Sequence, residues 1–342
     1  MSHYLRPVQL LSGPEAARAV EEKRARPLLG GPLAFAAVER IGWDGAGERH
    51  RLTVAPGDLE PAQLLPFTAA HAAPFDRPRL MGILNVTPDS FSDGGRHDGI
   101  AAAVTHGRKL AAEGADVIDV GGESTRPGAG EIAADEELAR VLPVIEALAA
   151  RGLMVSVDTR KAVVMRAALA AGARMINDVS GLAHDPAALE AGAAATARGA
   201  WVVLMHMRGT PATMNRSPSY RACTLEVHDE LAMRMAAAEA AGVRRDRIVL
   251  DPGLSFAKHE PHNVELLREL ALLHGLGRPL MVGISRKGWA DWLHRRHRPA
   301  ERLPASLAAA QWALDRGARL LRVHDVAATR QLLDAWTTLA SL

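Results

Sequence analysis

The fold is indicated by residues 80–122, which read LMGILNVTPDSFSDGGRHDGIAAAVTHGRKLAAEGADVIDVGG. An apolar run at 80–85 leads through a glycine-containing segment and an alanine-rich helical stretch to a second apolar run at 116–122. Two parallel strands need a crossover of a dozen or more residues, and a helix usually provides it. This stretch therefore predicts a strand, a helix and a second, parallel strand.

The same alternation continues to the carboxyl terminus. The strand-like runs are LMGILN, DVIDVGG, MVSVDT, RMINDV, WVVLMH, RIVLDPG, LMVGIS and LLRVHDV. Continuous apolar strands are typical of a sheet buried on both faces, and eight such βα units close naturally into a barrel. We therefore predict an α/β fold in which residues 79–342 form a (β/α)8 TIM barrel.

Residues 1–78 do not follow this pattern and are predicted to be an N-terminal extension packed on the barrel. Ser12 and Glu15 have the spacing of a capping box that opens a short helix. Residues 50–56, HRLTVAP, are strand-like, and the proline-punctuated residues 66–79 suggest a linker. The extension carries no recognisable chemistry, so we expect a structural or interface role.

The bulk composition is that of a globular cytoplasmic protein. The chain has 342 residues, 48% of them hydrophobic and 23% charged, with a formal net charge of +2. This charge is too small to predict a nucleic-acid or membrane partner. The single cysteine, Cys223, cannot form an internal disulfide, and the sequence contains no signal-peptide or transmembrane pattern.

Polar side chains follow most of the predicted strands, where a barrel carries its active site. They are Asn85, Glu123 to Arg126, Asp158, Asn177, Asp178, His206 and Asp251. Any one of the acids or asparagines is as easily an N-cap of the next helix, so the inference depends on the whole set. His206, between two methionines, fits a packed histidine as well as a ligand contact.

The last two strands add cations. Arg322 and His324 are two residues apart on one strand and therefore share a face, at the position where barrels often bind phosphate. Asp158, Asn177, Asp251 and Lys287 could read the amino and carbonyl edge of a flat heterocycle. His259 and His262 have a loose metal-like spacing, and residues 286–302 are basic, but solvated surface is the simpler interpretation of both.

Two long motifs resemble the dihydropteroate synthase family of pterin-binding enzymes: MGILNVTPDSFSDGG at 81–95 and GADVIDVGGESTRPGA at 114–129. Shorter matching stretches are SVDTRKA, INDVSG, LMHMRGTPATM, LDPG, SRK and RVHD, so the resemblance covers every barrel unit. Departures from the family pattern are Gly288, where a serine is usual, and Leu254 with Ser255 in the DPGLSF run.

The resemblance implies a role for each matching residue. Pterin would be bound by Asp158, Asn177, Asp251, Lys287 and Arg322; diphosphate by Thr125, Arg126, Arg322 and His324; and aminobenzoate by a pocket of Phe91, Pro127 and Phe256. Asn85 would help to bind Mg²⁺, the implied cofactor. Lys287, Arg322, His324 and Asp93 would serve the catalytic step.

The implied activity is the condensation of 6-hydroxymethyl-7,8-dihydropterin diphosphate with 4-aminobenzoate, releasing pyrophosphate, by a homodimeric transferase. The alternatives are a pterin-dependent methyltransferase on the same barrel, a Schiff-base aldolase using Lys287, and a paralogue that binds pterin without turnover. From the sequence alone we expect Arg322→Ala to lose activity and keep its fold.

Overall fold

The protein is described from a computed structural model. Residues 2–45, 49–86, 96–124, 130–214, 216, 218–288 and 298–341 are described, without the side chains of 96–98 and 300. Within this part of the chain no helix is both long enough and apolar enough to cross a membrane.

Eight parallel strands form the barrel, as predicted. They are β5 (Arg79–Asn85), β6 (Val117–Gly121), β7 (Val155–Asp158), β8 (Met175–Asp178), β9 (Trp201–Met205), β10 (Ile248–Asp251), β11 (Met281–Val282) and β12 (Leu320–Val323). The sheet runs in the order β10-β9-β8-β7-β6-β5-β12-β11, and a parallel bridge between Leu250 and Leu280 joins its two ends. The (β/α)8 prediction is confirmed.

Helices cover the outside of the barrel. They are α3 (Arg96–Ala112), α4 (Ala134–Ala149), α5 (Ala162–Ala170), α6 (Ala188–Ala197), α7 (Cys223–Ala240), α8 (Glu260–Arg268), α9 (Leu303–Leu314) and α10 (Val326–Ser341). Short 3₁₀ helices occupy Pro56–Asp58, Arg245–Arg247, Leu270–Leu276 and Pro299–Glu301. The outward-facing strand residues pack against these helices in one large apolar cluster.

The inside of the barrel has an apolar floor and a polar upper layer. The floor consists of Phe75, Met81, Val117, Met175, Trp201, Val203, Val249, Met281 and Leu320. Successive residues of a strand point to opposite faces, so the residue two positions further on faces inward again. Asp119, Asn177, Asp251 and Arg322 each stand two positions after a floor residue, which puts all four inside the barrel towards its carboxyl-terminal mouth.

The residues before β5 form a second, antiparallel sheet. It consists of β1 (Ser2–Leu11), β2 (Arg26–Pro27), β3 (Ala34–Trp43) and β4 (Arg49–Val54), accompanied by α1 (Gly13–Glu21) and α2 (Pro61–Thr68). The central strand β3 pairs with the other three strands. Ser12 occupies the N-cap position of α1 but makes no side-chain capping bond, so the predicted capping box is wrong. The predicted linker begins within α2.

Polar contacts attach this sheet to the barrel. The Tyr4 hydroxyl donates to Asp229 at 2.6 Å, and Arg51 donates to Glu269 at 2.6 Å. A groove of about 1210 Å³ lies between β1 and helices α8 to α10. Two arginines that line the groove form ion pairs: Arg49 pairs with Glu265 at 3.2 Å, and Arg51 pairs with Glu269 at 2.6 Å. These contacts make the groove the seam between extension and barrel, separate from the barrel mouth.

Candidate active site

An ion-pair network spans the interior of the barrel just above its apolar floor. Arg322 on β12 donates through Nε to Asp119 on β6 at 2.7 Å and through Nη2 to Asp158 on β7 at 2.6 Å. Asn177 on β8 donates to the same Asp119 oxygen at 2.9 Å. Four strands therefore contribute to one hydrogen-bonded cluster, although Asp119 and Arg322 are 203 positions apart in the chain.

Burial sets the protonation of these groups. It raises the pKa of Asp158 to about 7, with Asp119 adding to the effect and Arg322 opposing it. Burial also raises the pKa of Asp251, against the opposing charge of Lys287. For Arg322, burial alone would lower the pKa, but the carboxylates of Asp119 and Asp158 outweigh it and raise the pKa further. The guanidinium is therefore a permanent cation, whereas burial favours the neutral forms of Asp158 and Asp251.

Lys287 lies beside this cluster, against the segment that follows β10. Its ammonium donates to the carbonyl of Leu254 at 2.6 Å and lies 4.7 Å from the ring centroid of Phe256. Burial lowers the pKa of Lys287 to about 8, with Asp251 resisting the shift. Asp251 in turn accepts the N–H of Gly253 at 2.7 Å. Lys287, Asp251 and Phe256 are thus brought to one wall of the mouth.

His324 directly follows β12, two residues after Arg322. Its Nδ1 lies 3.2 Å from the Ser285 hydroxyl, which also accepts the backbone N–H of His324 at 3.1 Å. Burial, together with the nearby charges of Arg322 and Arg286, lowers the pKa of His324 to about 4. The imidazole is therefore neutral without a ligand. Helix α10 begins two residues later, and its amino terminus favours an anion at this place.

Asn85 ends β5 at the same rim. A side chain added at Gly121 would lie 3.7 Å from the Asp158 carboxylate and 3.8 Å from the Asn85 amide oxygen, so both oxygens face one narrow space. The described residues contain no cluster of three or more acidic, histidine or cysteine ligands that could hold a metal alone. One amide oxygen fits a Mg²⁺ ion that takes most of its ligands from water and substrate phosphates.

Several predicted site residues lie outside the described part of the chain: Phe91, Asp93, Thr125, Arg126 and Pro127. The flanks of residues 125–129 are described. Glu123 precedes them, and its carboxylate accepts the N–H of Ile132 at 3.0 Å and pairs with Arg160 at 2.9 Å and Lys161 at 3.2 Å. Glu123 therefore ties together the two sides of the segment that carries the predicted diphosphate ligands.

Other candidates have structural surroundings. Asp178 accepts the backbone N–H groups of Ser180 and Leu182 at 2.7 Å and 3.0 Å, so it stabilises the turn after β8 and is not the N-cap of the next helix, which begins at Ala188. His206 is 3% exposed and lies between Glu230 at 2.9 Å and Lys258 at 2.8 Å, so it is a packed, hydrogen-bonded histidine.

Sequence reasoning missed Asp119, which contacts both Arg322 and Asn177. The predicted site residues follow strand ends, whereas Asp119 lies in the middle of β6, flanked by Ile118 and Val120. An acid within a run of buried apolar residues was itself a signal, because a charge there needs a buried partner.

Comparisons with known proteins agree with this geometry. A family model described as pterin binding enzyme matches residues 81–324. The chain is 46% identical over 264 residues to the dihydropteroate synthase of Escherichia coli (strain K12), covering 77% of this chain and 92% of the relative.

Solved structures give the same result. The fold is similar to Xanthomonas albilineans dihydropteroate synthase with 4-aminobenzoic acid, with a TM-score of 0.73 and 51% identity over 78% of this chain and 95% of that one. A structure of dihydropteroate synthase from Xanthomonas albilineans in complex with 7,8-dihydropteroate matches with a TM-score of 0.70 and 48% identity, again over 78% of this chain and 95% of the other.

Fold and site together define a pterin-binding enzyme on a (β/α)8 barrel. The matched residues begin inside β5 and end at His324, so they include every strand of the barrel. The chain belongs to the dihydropteroate synthase family.

Proposed function

We propose that this protein is a dihydropteroate synthase, a transferase that joins 6-hydroxymethyl-7,8-dihydropterin diphosphate to 4-aminobenzoate and releases pyrophosphate. The observation that carries the proposal is the convergence of Asp158, Asn177, Asp251, Lys287 and Arg322 on one barrel mouth, in a chain of this family. A flat heterocycle with N–H groups on one edge and a carbonyl on the other is complementary to buried acceptors facing an ammonium.

We propose that the N–H edge of the pterin hydrogen-bonds to Asp158, Asn177 and Asp251. Lys287 is proposed to donate to its carbonyl side. Asp251 and Asn177 are 4% and 2% exposed, so an unmatched ligand would leave buried polar atoms without partners. Such mismatches are costly, which makes this edge a source of specificity. The guanidinium plane of Arg322, held by two carboxylates, is proposed to stack on the ring.

The diphosphate is proposed to bind at the β12 end of the mouth, near His324, Arg322 and the amino terminus of α10. Thr125 and Arg126 are proposed to complete this subsite. A Mg²⁺ ion held by Asn85 and the diphosphate oxygens would neutralise charge on the leaving group. The protein side of the site then supplies fixed dipoles and cations that need no rearrangement when the bond breaks.

The reaction separates charge. Cleavage of the C9–oxygen bond leaves positive charge on the pterin methylene and negative charge on pyrophosphate. Asp93, which lies between β5 and α3 in the sequence, is proposed to favour the first charge, and Arg322 with His324 to favour the second. The aromatic amine of 4-aminobenzoate is already neutral, so the pocket of Phe91, Pro127 and Phe256 needs chiefly to position it.

The decisive experiment supplies purified protein with Mg²⁺, the pterin diphosphate and 4-aminobenzoate, and measures pyrophosphate release together with the mass of 7,8-dihydropteroate. We expect both products in equal amounts. Pterin diphosphate binding without turnover would support the non-catalytic alternative. Transfer of a methyl group from a methyl-pterin would support the methyltransferase alternative.

Two features remain predictions from the sequence: a homodimeric assembly and a cytoplasmic location. Sedimentation equilibrium tests the first, with a mass of two chains expected. Fractionation of the source cells tests the second.

A further inference from the structure

A buried lysine outside the proposed ligand set, Lys258, lies close enough to Asp251 and Lys287 to interact with their charges. Lys258 precedes α8 and is 5% exposed. Its Nζ lies 2.8 Å from His206 Nδ1, 3.0 Å from the Phe256 carbonyl and 3.4 Å from the His206 carbonyl. These three acceptors match the three hydrogens of an ammonium group. The side chain is therefore fully engaged, and one of its partners belongs to the aminobenzoate wall.

His206, which accepts the hydrogen bond from Lys258, is held by a second hydrogen bond on its other ring nitrogen. His206 Nε2 lies 2.9 Å from Glu230, whose other oxygen accepts from Arg208 Nε at 3.0 Å. Because Nδ1 accepts from Lys258, we assign the ring proton to Nε2, where it donates to Glu230. Burial lowers the pKa of His206 to about 4, so the ring is neutral and keeps this tautomer at neutral pH. Glu230, His206 and Lys258 form a chain that ends on the Phe256 carbonyl.

The segment 253–258, between β10 and α8, needs such an anchor. Gly253, Ser255 and Ala257 all have positive φ angles, of 66°, 67° and 51°, and two of these residues are not glycine. Left-handed backbone at non-glycine residues persists only where its surroundings enforce it. One restraint comes from the Asn263 side chain, which accepts the Ser255 N–H at 2.7 Å. Lys258 supplies the other restraint, on Phe256.

The same segment carries two groups that face the proposed substrates. The Leu254 carbonyl accepts the Lys287 ammonium at 2.6 Å, and the Phe256 ring lies 4.7 Å from that ammonium. Residues 254–256 are thus hydrogen-bonded by two buried amines, Lys287 at the Leu254 carbonyl and Lys258 at the Phe256 carbonyl. A shift of the Phe256 carbonyl would move both the aromatic wall and the acceptor that orients Lys287.

We propose that Lys258 is a positioning residue for the transfer reaction: its amine ties the Phe256 carbonyl to the His206–Glu230 pair and so fixes the aminobenzoate wall. The amine need not be charged for this, because a neutral amine keeps two N–H donors for Phe256 and His206. The inference rests on the proposed function and deepens it. It predicts a larger effect on aminobenzoate than on pterin binding, because Lys258 donates directly to the Phe256 carbonyl but reaches the pterin ligands only indirectly, through the Leu254 acceptor of Lys287 and through its charge near Asp251.

The test compares Lys258→Met with the full-length wild-type protein in steady-state turnover. We expect the KM for 4-aminobenzoate to rise about tenfold, the effect of one lost hydrogen bond of this kind, while the dissociation constant of the pterin diphosphate changes less than about threefold. Val202→Ala is the matched control, because Val202 is fully buried on β9 four positions before His206 and faces away from the segment. It should lower stability without raising the KM.

The outcomes separate the inference from the function it rests on. If the wild-type protein makes no dihydropteroate, the proposed function and this inference fall together. If the wild type is active and Lys258→Met keeps its KM, or shifts it no more than Val202→Ala does, only the positioning role is overturned. Glu230→Gln keeps the test available if the buried substitution does not fold, since Glu230 is half-buried. We expect a smaller rise of the same KM, and an unchanged KM would count against the role.

Discussion

Replacing Arg322 with methionine tests the ion-pair network at the centre of the site. The substitution keeps the apolar volume of the side chain and removes the cation between Asp119 and Asp158, which are 0% and 6% exposed. Breaking a buried pair by removing one partner costs about 3–5 kcal/mol. A native domain is stabilised by only about 5–15 kcal/mol. We therefore expect a marked loss of stability, in place of the intact fold that the sequence alone led us to expect for Arg322→Ala.

The loss should depend on pH with a definite sign. Burial raises the folded-state pKa of Asp158 to about 7, above its value of 3.8 in the unfolded chain, so its stabilising contribution is complete at low pH and is lost as pH rises towards 7. Removing Arg322 raises this pKa further. Arg322→Met should therefore be destabilised more at pH 8 than at pH 6, where protonation relieves the repulsion between the two acids.

Urea unfolding followed by circular dichroism at both pH values measures the effect. Adding Asp119→Asn to Arg322→Met should recover about half of the loss at pH 8, because one uncompensated carboxylate is removed. Arg330→Met is the control: its pair with Asp116, at 2.8 Å, is partly exposed and should contribute about 0–1 kcal/mol. A loss below about 1 kcal/mol in Arg322→Met, equal at both pH values, would refute the reasoning.

Three further predictions follow from the same geometry. The pKa of His324 is lowered to about 4, and a bound diphosphate would raise it. Binding of the pterin diphosphate at pH 6 should therefore take up a proton. Calorimetry in buffers of different ionisation enthalpy measures this uptake. Burial lowers the pKa of His274 from 6.5 to about 4. The neutral imidazole should therefore contribute about 3 kcal/mol to the free energy of unfolding above pH 6.5, and this contribution should decline as the pH falls towards 4. Denaturant unfolding across this pH range measures it. Gly253 has a φ of 66°, and an added Cβ would lie 2.0 Å from the His206 carbonyl oxygen. Gly253→Ala should therefore lower the free energy of unfolding by about 2–5 kcal/mol. Gly57 has open space around it, so Gly57→Ala should cause no such loss.

Each of these predictions has a contrary result. Binding that releases protons or leaves them unchanged would show that the imidazole does not meet the diphosphate. His274→Asn with the same pH slope as the wild type between pH 4 and 6.5 would assign the slope to other groups. Gly253→Ala as stable as Gly57→Ala would mean that the segment before α8 adapts easily.

The barrel could be predicted because its signal is local and repeated. Each apolar run, such as LMGILN or WVVLMH, is bounded by a polar residue and separated from the next by a helical stretch, so strand order and parallel pairing follow from connection length. Asp158, Asn177, Asp251 and Arg322 could be placed at the mouth of the barrel because they end or nearly end these runs. Their convergence is then a property of the closed barrel.

Contacts between segments that are distant in the chain have no comparable local pattern in the sequence. The pairing of Asp119 with Arg322 joins strands on different sides of β5, and no local spacing encodes it. The role of Lys258 depends on His206, which is 52 positions away. In the extension, β1 was not predicted because Pro7 and the charged Arg6 interrupt its pattern, and its pairing with β3 depends on tertiary contacts.

The most direct measurement is the affinity for 6-hydroxymethyl-7,8-dihydropterin diphosphate, with Mg²⁺, of the wild type and of Asp251→Asn by calorimetry. The amide oxygen can still accept the Gly253 N–H, so the fold should persist, but the other carboxylate oxygen becomes an N–H₂ donor facing the pterin edge. We expect binding to weaken by about 2–3 kcal/mol, or about 30- to 150-fold. Equal affinity in the two proteins, or no binding to the wild type, would contradict the assignment of the barrel mouth as the pterin site.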